Sequence, residues 1–85
     1  MNKIRYSFNF SVLYFKLSRF SEEHIKQAIK DYSENVNLTL TQSKKFYEIE
    51  VRLMDKKTQN IKELSEEIYT YIENYRIEIF IVKSL

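Results

Sequence analysis

Between residues 4 and 17 apolar and polar positions alternate. Ile4, Tyr6, Phe8, Phe10, Val12 and Tyr14 share one parity, and Arg5, Ser7, Asn9 and Ser11 share the other. That period of two is the signature of a strand with one buried face. The apolar parity then passes to Leu13, Phe15 and Leu17. A run this long exceeds an ordinary strand, so a bulge or bend is predicted near Val12.

After this run the period changes. Ile25, Ala28, Ile29 and Tyr32 recur at helical spacing behind Ser21, an N-cap residue, and Glu22 and Glu23 suit the positive end of a helix dipole. A helix over 22–34 is predicted. Alternation returns in Val36, Leu38 and Leu40, and again in Tyr47, Ile49, Val51 and Leu53. These predict two strands joined through Gln42, Ser43, Lys44 and Lys45, by a loop built around a type I turn because no glycine is there for a primed one. After a polar loop, Asp55 to Gln59, Thr58 is the expected cap of a second helix with the stripe Ile61, Leu64, Ile68, Tyr71, Ile72 and Tyr75. Ile77, Ile79 and Ile81, alternating with Arg76, Glu78, Phe80 and Val82, predict a last strand.

The predicted order is βαββαβ, a ferredoxin-like α+β fold. Its four-stranded antiparallel sheet has strand order 4-1-3-2, with both helices on one face. Residues 1–85 are expected to form a single domain, since two would leave neither half with a sufficient core.

Composition changes this picture mainly by exclusion. The chain has no glycine, proline or cysteine. Gly-rich phosphate loops, dinucleotide fingerprints and nucleophile elbows all need a residue without a Cβ, so none can be built. Lack of cysteine removes disulfides, thiolate metal sites and cysteine nucleophiles, and it fits a reducing compartment. No apolar run approaches the roughly 20 residues of a membrane span, so a cytoplasmic location without membrane contact is expected. The net charge of +2 is too small to imply a polyanionic partner by itself.

Candidate chemistry is sparse. His24, the only histidine, reads as an exposed helix-start residue. Glu63, Glu66, Glu67 and Glu73 read as a solvated helix face. Neither set supplies the converging groups of a metal or acid/base site, so no catalytic residue, metal or cofactor is expected. Seven tyrosines on this element order raise an RRM-like single-stranded nucleic-acid reading. Glu48, Glu50 and Glu78 count against it, because they are expected on the open sheet face where phosphates would lie. The expected charge placement, with Lys16, Arg19, Lys44, Lys45 and Arg76 at one end and Lys3, Arg5, Lys56, Lys57 and Lys83 at the other, gives no continuous basic track.

The most informative segment is an edge. In the predicted order the strand Val36, Asn37, Leu38, Thr39, Leu40, Thr41 and Gln42 lies at the sheet margin without charge or proline, the usual protections of an edge. Its free N–H and C=O groups, with Thr39 expected among the outward-pairing residues and Asn37 and Thr41 flanking, could accept a partner strand or a second copy of the chain.

Near the carboxyl end, Tyr71-Ile72-Glu73-Asn74-Tyr75-Arg76-Ile77-Glu78 resembles the Leu-Leu-Asn-Asp-Tyr-x-Leu-Arg-Glu signature of HxsD proteins, with Glu78 in place of the arginine. Phe15, Leu17, Phe20, Ser21, Ile25, Ala28 and Tyr32 are similar to that family's strand, turn and first helix. The resemblance implies an accessory protein of a His-Xaa-Ser peptide-maturation (RiPP) system, working beside a radical SAM maturase and its precursor peptide. The readings carried forward are a non-catalytic protein- or peptide-binding module of this kind, a small inhibitor such as a phage-encoded one, and the nucleic-acid binder.

Overall fold

Among the described residues six elements follow one another: β1 (Ile4–Tyr6), β2 (Phe10–Lys16), α1 (Glu22–Tyr32), β3 (Val36–Gln42), β4 (Phe46–Leu53) and α2 (Ile61–Ser84). The structure is a computed structural model that describes residues 3–32, 36–54 and 60–84, the side chains of 75–84 excepted. The class is the expected one, an α+β fold with an open four-stranded antiparallel sheet and two helices. The strand order is β1-β2-β4-β3 where the sequence reading predicts 4-1-3-2, and the chain order is ββαββα.

One substitution of elements accounts for both differences. The three central and far-edge strands lie in the predicted spatial order, but the place beside β2 belongs to Ile4–Tyr6 rather than to residues 76–82. The predicted first strand is in fact a hairpin, folded back at Ser7–Asn9 with the Ser7 N–H donating to the Phe10 carbonyl at 2.8 Å. Its register pairs Ile4 with Leu13, Arg5 with Val12 and Tyr6 with Ser11, so even positions of β1 share a face with odd positions of β2. The shift in apolar parity is therefore a chain reversal at residues 7–9, not a bulge near Val12. Phe8, at its tip, is 95% exposed.

Residues 76–82 continue α2 instead of forming a strand. The run is apolar enough to satisfy two periods: Ile68, Ile72, Tyr75, Ile79 and Val82 also recur at helical spacing, and no glycine or proline interrupts them. With the sheet edge already occupied, the helical hydrogen bonds continue. The cap of α2 is Asn60, whose Oδ1 accepts from the N–H groups of Lys62 (2.9 Å) and Glu63 (3.2 Å). The expected cap Thr58 and the loop at 55–59 lie outside the described residues, as do Ser33 and Glu34 of the expected first helix. Ser21 caps α1 as predicted, through its hydroxyl to the His24 N–H at 3.2 Å.

Both helices lie on one face of the sheet. Leu13, Phe15, Ile49 and Val51 from the strands form one buried cluster with Ile25 and Ala28 of α1 and Ile68 and Ile72 of α2. α1 lies against β3 and α2, while α2 crosses β2, β4 and β1. Among the described residues one polar pair sits inside this interface: Ser11 and Ser65, both fully buried, share a hydrogen bond of 2.6 Å between their hydroxyls. In a chain without glycine, serine and alanine are the smallest side chains available where a helix must approach a strand closely.

Candidate functional site

β3 is an edge strand, paired antiparallel with β4 on one side only. Which of its backbone groups are free follows from register. The Ser43 N–H donates to the Phe46 carbonyl at 2.9 Å, and this bond continues the β3–β4 ladder, in which Gln42 faces Tyr47 and Thr41 faces Glu48. Hydrogen-bonded pairs alternate along an antiparallel ladder, so Asn37, Thr39 and Thr41 direct their N–H and C=O groups at β4. Val36, Leu38, Leu40 and Gln42 direct theirs to the free edge. The expectation that Thr39 is an outward-pairing residue is thus corrected: its side chain is exposed, but its backbone belongs to the internal ladder. In a pleated strand a residue whose backbone is free at this edge turns its side chain to the core face. Val36 is accordingly buried, Leu38 and Leu40 are half-buried, and Gln42 is exposed at the strand end.

The edge has seven residues, none charged. The opposite edge, β1, has three and carries Arg5, whose guanidinium Nε donates to the Tyr14 hydroxyl at 3.1 Å. Of the two margins, β3 is therefore the longer and the less protected. The adjoining turn shows how the hairpin closes without glycine. No described residue has positive φ. The Ser43 hydroxyl accepts from the Phe46 N–H at 3.2 Å, taking the place of the backbone acceptor a tight turn would supply. The connection is shorter than predicted, with only Lys44 and Lys45 between the residues that close it.

The open sheet face presents Glu48 and Glu50 at its centre, opposite Tyr14 and Val12 in the register. Arg52 lies over the Phe10 ring at 4.7 Å and pairs with Glu50 at 3.1 Å. Carboxylates thus occupy the middle of this face, as the sequence predicts for Glu48 and Glu50; Glu78 belongs to α2 instead.

The basic residues are distributed differently from the sequence expectation. The β1–β2 hairpin carries Lys3 to the end that holds Lys16 and Arg19, with the Tyr14 N–H donating to the Lys3 carbonyl at 3.0 Å. Lys3 and Lys16, with Arg19, Tyr14, Phe46 and Tyr69, line a cavity of about 230 Å³ there, and Lys44 and Lys45 border the adjoining surface. Among the described residues none of Lys3, Lys16, Arg19, Lys44 and Lys45 makes an ion pair. Sequence reasoning missed this grouping because it placed Lys3 on a straight strand running away from Lys16. Lys56 and Lys57 lie outside the described residues, and Arg76 and Lys83 belong to α2.

Within the cavity wall Tyr69 stacks on Phe15 (4.9 Å between centroids) and donates to Glu73 at 3.1 Å. Burial, the hydrogen bond to Glu73 and that carboxylate's charge push the Tyr69 hydroxyl up to about 12, with Arg19 acting in the opposite sense. The remaining helix acids lie apart: Glu63, Glu66 and Glu67 are exposed, and Glu67 accepts from the Tyr32 hydroxyl at 3.4 Å. His24 is half-buried rather than exposed. No group of three His, Cys, Asp or Glu residues converges among the described residues, and no described helix is long and apolar enough to cross a membrane.

No protein-family model matches this chain, and no curated protein or solved structure does.

Proposed function

We propose that this domain is a non-catalytic protein- or peptide-binding module that takes an extended partner segment along residues 36–42. The observation that carries the reading is the free edge of β3, where Val36, Leu38, Leu40 and Gln42 offer backbone donors and acceptors in a seven-residue stretch without charge. The resemblance to HxsD proteins supports a maturation precursor peptide as the extended segment and an accessory role beside its maturase. Affinity comes from main-chain bonds. Each contributes about 0.5–1.5 kcal/mol net, so loss of one donor weakens binding about twofold to tenfold.

Gln42→Pro tests this directly. It deletes an edge-facing N–H at an exposed position and leaves the β3–β4 ladder complete, whereas Thr39→Pro would break that ladder and report on folding instead. A folded Gln42→Pro variant is expected to bind the precursor peptide more weakly than the parent, and Thr39→Lys to weaken it by placing charge on the edge strand. Saturating peptide should slow amide exchange at Leu38 and Leu40 while leaving Asn37 and Thr39, already bonded to β4, nearly unchanged. Unaltered exchange at Leu38 and Leu40 with peptide bound would place the contact elsewhere. Concentration-dependent protection of the same amides without peptide would identify a second copy of the chain as the occupant.

A further inference from the structure

The cavity at the basic end of the sheet is lined from β2, the start of β4 and α2, and no residue of β3 contributes to it. Its mouth carries three cations, Lys3, Lys16 and Arg19, all exposed, against a single carboxylate, Glu73. Glu73 is engaged by the Tyr69 hydroxyl at 3.1 Å and lies beyond ion-pair distance of each cation. The walls are aromatic: Phe15 stacks on Tyr69 and meets Phe20 edge-on at 5.0 Å, and Tyr14 meets Phe46 edge-on at 5.9 Å. Lys3 Nζ stands 5.7 Å from the Tyr69 ring centroid.

We propose that this cavity binds a small aromatic carboxylate, its ring against the aromatic walls and its charge between Lys3, Lys16 and Arg19. Size and chemistry both select this ligand. An apolar cavity of about 150 Å³ accommodates benzene, and the volume here, about 230 Å³, leaves room for a ring with its acid group. The aromatic walls reward an apolar body, which inorganic phosphate lacks. The backbone also offers no nest for a phosphate, because such a nest needs left-handed residues and no described residue has positive φ. One net anion leaves the cluster partly neutralised, while Glu73 opposes closer approach. Two sources present this chemistry: a free aromatic acid, and the last residue of a peptide that ends in Phe or Tyr.

The test is a calorimetric and NMR titration of the intact chain with phenylacetate, N-acetylphenylalanine, N-acetylphenylalanine amide and inorganic phosphate. Both acids are expected to bind and to shift Tyr69 and Arg19 resonances. The amide, which lacks the charge, should bind about tenfold more weakly or worse. Arg19→Gln and Lys16→Gln, both exposed changes that spare the core, should each weaken the acids, whereas Glu73→Gln should tighten them by removing the opposing charge. Thr39→Lys, in the middle of β3 and away from the hairpin closure that holds Phe46, should leave this binding unchanged, so failure here and failure at β3 are separable. Tighter binding of N-acetylphenylalanine than of phenylacetate assigns the site to a peptide terminus, and the reverse order to a free acid. Absence of binding by both acids, equal binding of the amide, phosphate binding as tight as theirs, or weaker binding after Glu73→Gln would overturn the proposal.

Discussion

Ser11 and Ser65 are buried hydroxyls that satisfy only each other across the contact of β2 and α2. An unpaired buried hydroxyl is costly, whereas removing both partners is much less so. Ser65→Ala or Ser11→Ala alone is expected to cost about 1–3 kcal/mol, and the double variant less than the sum of the two. Urea unfolding of the four proteins in the cycle measures this. Tyr69 gives a second residue-scale expectation. Its hydroxyl ionises at about 12 in the folded chain against an ordinary 10.0, so the folded state favours the neutral phenol. The resulting stability is present in full below pH 10 and is lost as pH rises through about 12. Tyr32 and Tyr6 shift in the same direction. Thermal melts from neutral to strongly alkaline pH should therefore fall at the alkaline end, and Tyr69→Phe should flatten part of that fall. Neither feature was legible in the sequence. By period alone Ser11 falls on a polar face and Tyr69 has no role, because both depend on where α2 lands on the sheet.

Among the elements, the two ends of the chain are where periodicity and structure part company. Residues 4–17 and 76–82 each alternate, and each suggests one strand. The first run is a hairpin and the second a helix, so the sheet still has four strands. Cα chemical shifts of residues 76–83 are expected to be helical, and cross-strand contacts should connect Arg5 with Val12. Strand-like shifts at 76–83 would refute this assignment. The caps belong to the same scale. Asn60→Ala leaves the N–H groups of Lys62 and Glu63 without their acceptor and should cost about 1 kcal/mol, with Asn60→Asp close to neutral. Hydrogen-exchange protection in the first turn of α2 reports it. The central elements, α1, β3 and β4, were readable because each carries one unambiguous period bounded by polar residues. The strand at 36–42 is readable for the same reason, its place at the margin comes from the expected topology, and the phase of its free backbone groups is set by the hairpin closure at Ser43 and Phe46.

For the molecule as a whole, stability rests on one core between the sheet and its two helices. Phe15 stands at the centre of that core, 1% exposed, while Phe8 is 95% exposed at a turn. Phe15→Ala is expected to cost about 3–5 kcal/mol, a large share of the roughly 5–15 kcal/mol that holds a domain folded, and Phe8→Ser close to nothing. Denaturant midpoints of the two variants distinguish them. The same architecture separates three surfaces: the bare β3 edge, the basic aromatic cavity at one end of β2, and the exposed acids of α2. The sequence by itself determined the α+β class, both helix starts to within a few residues, and the inward faces of β3 and β4, with Glu48 and Glu50 on the opposite face of β4. These follow from local period and capping chemistry, which short segments encode on their own. Only the tertiary structure decided which segment fills the place beside β2, which backbone groups of β3 stay free, and that Lys3 joins Lys16 and Arg19. An apolar run such as 76–82 satisfies helix and strand alike, and what settles it is competition among segments for one sheet edge, a quantity no single segment contains.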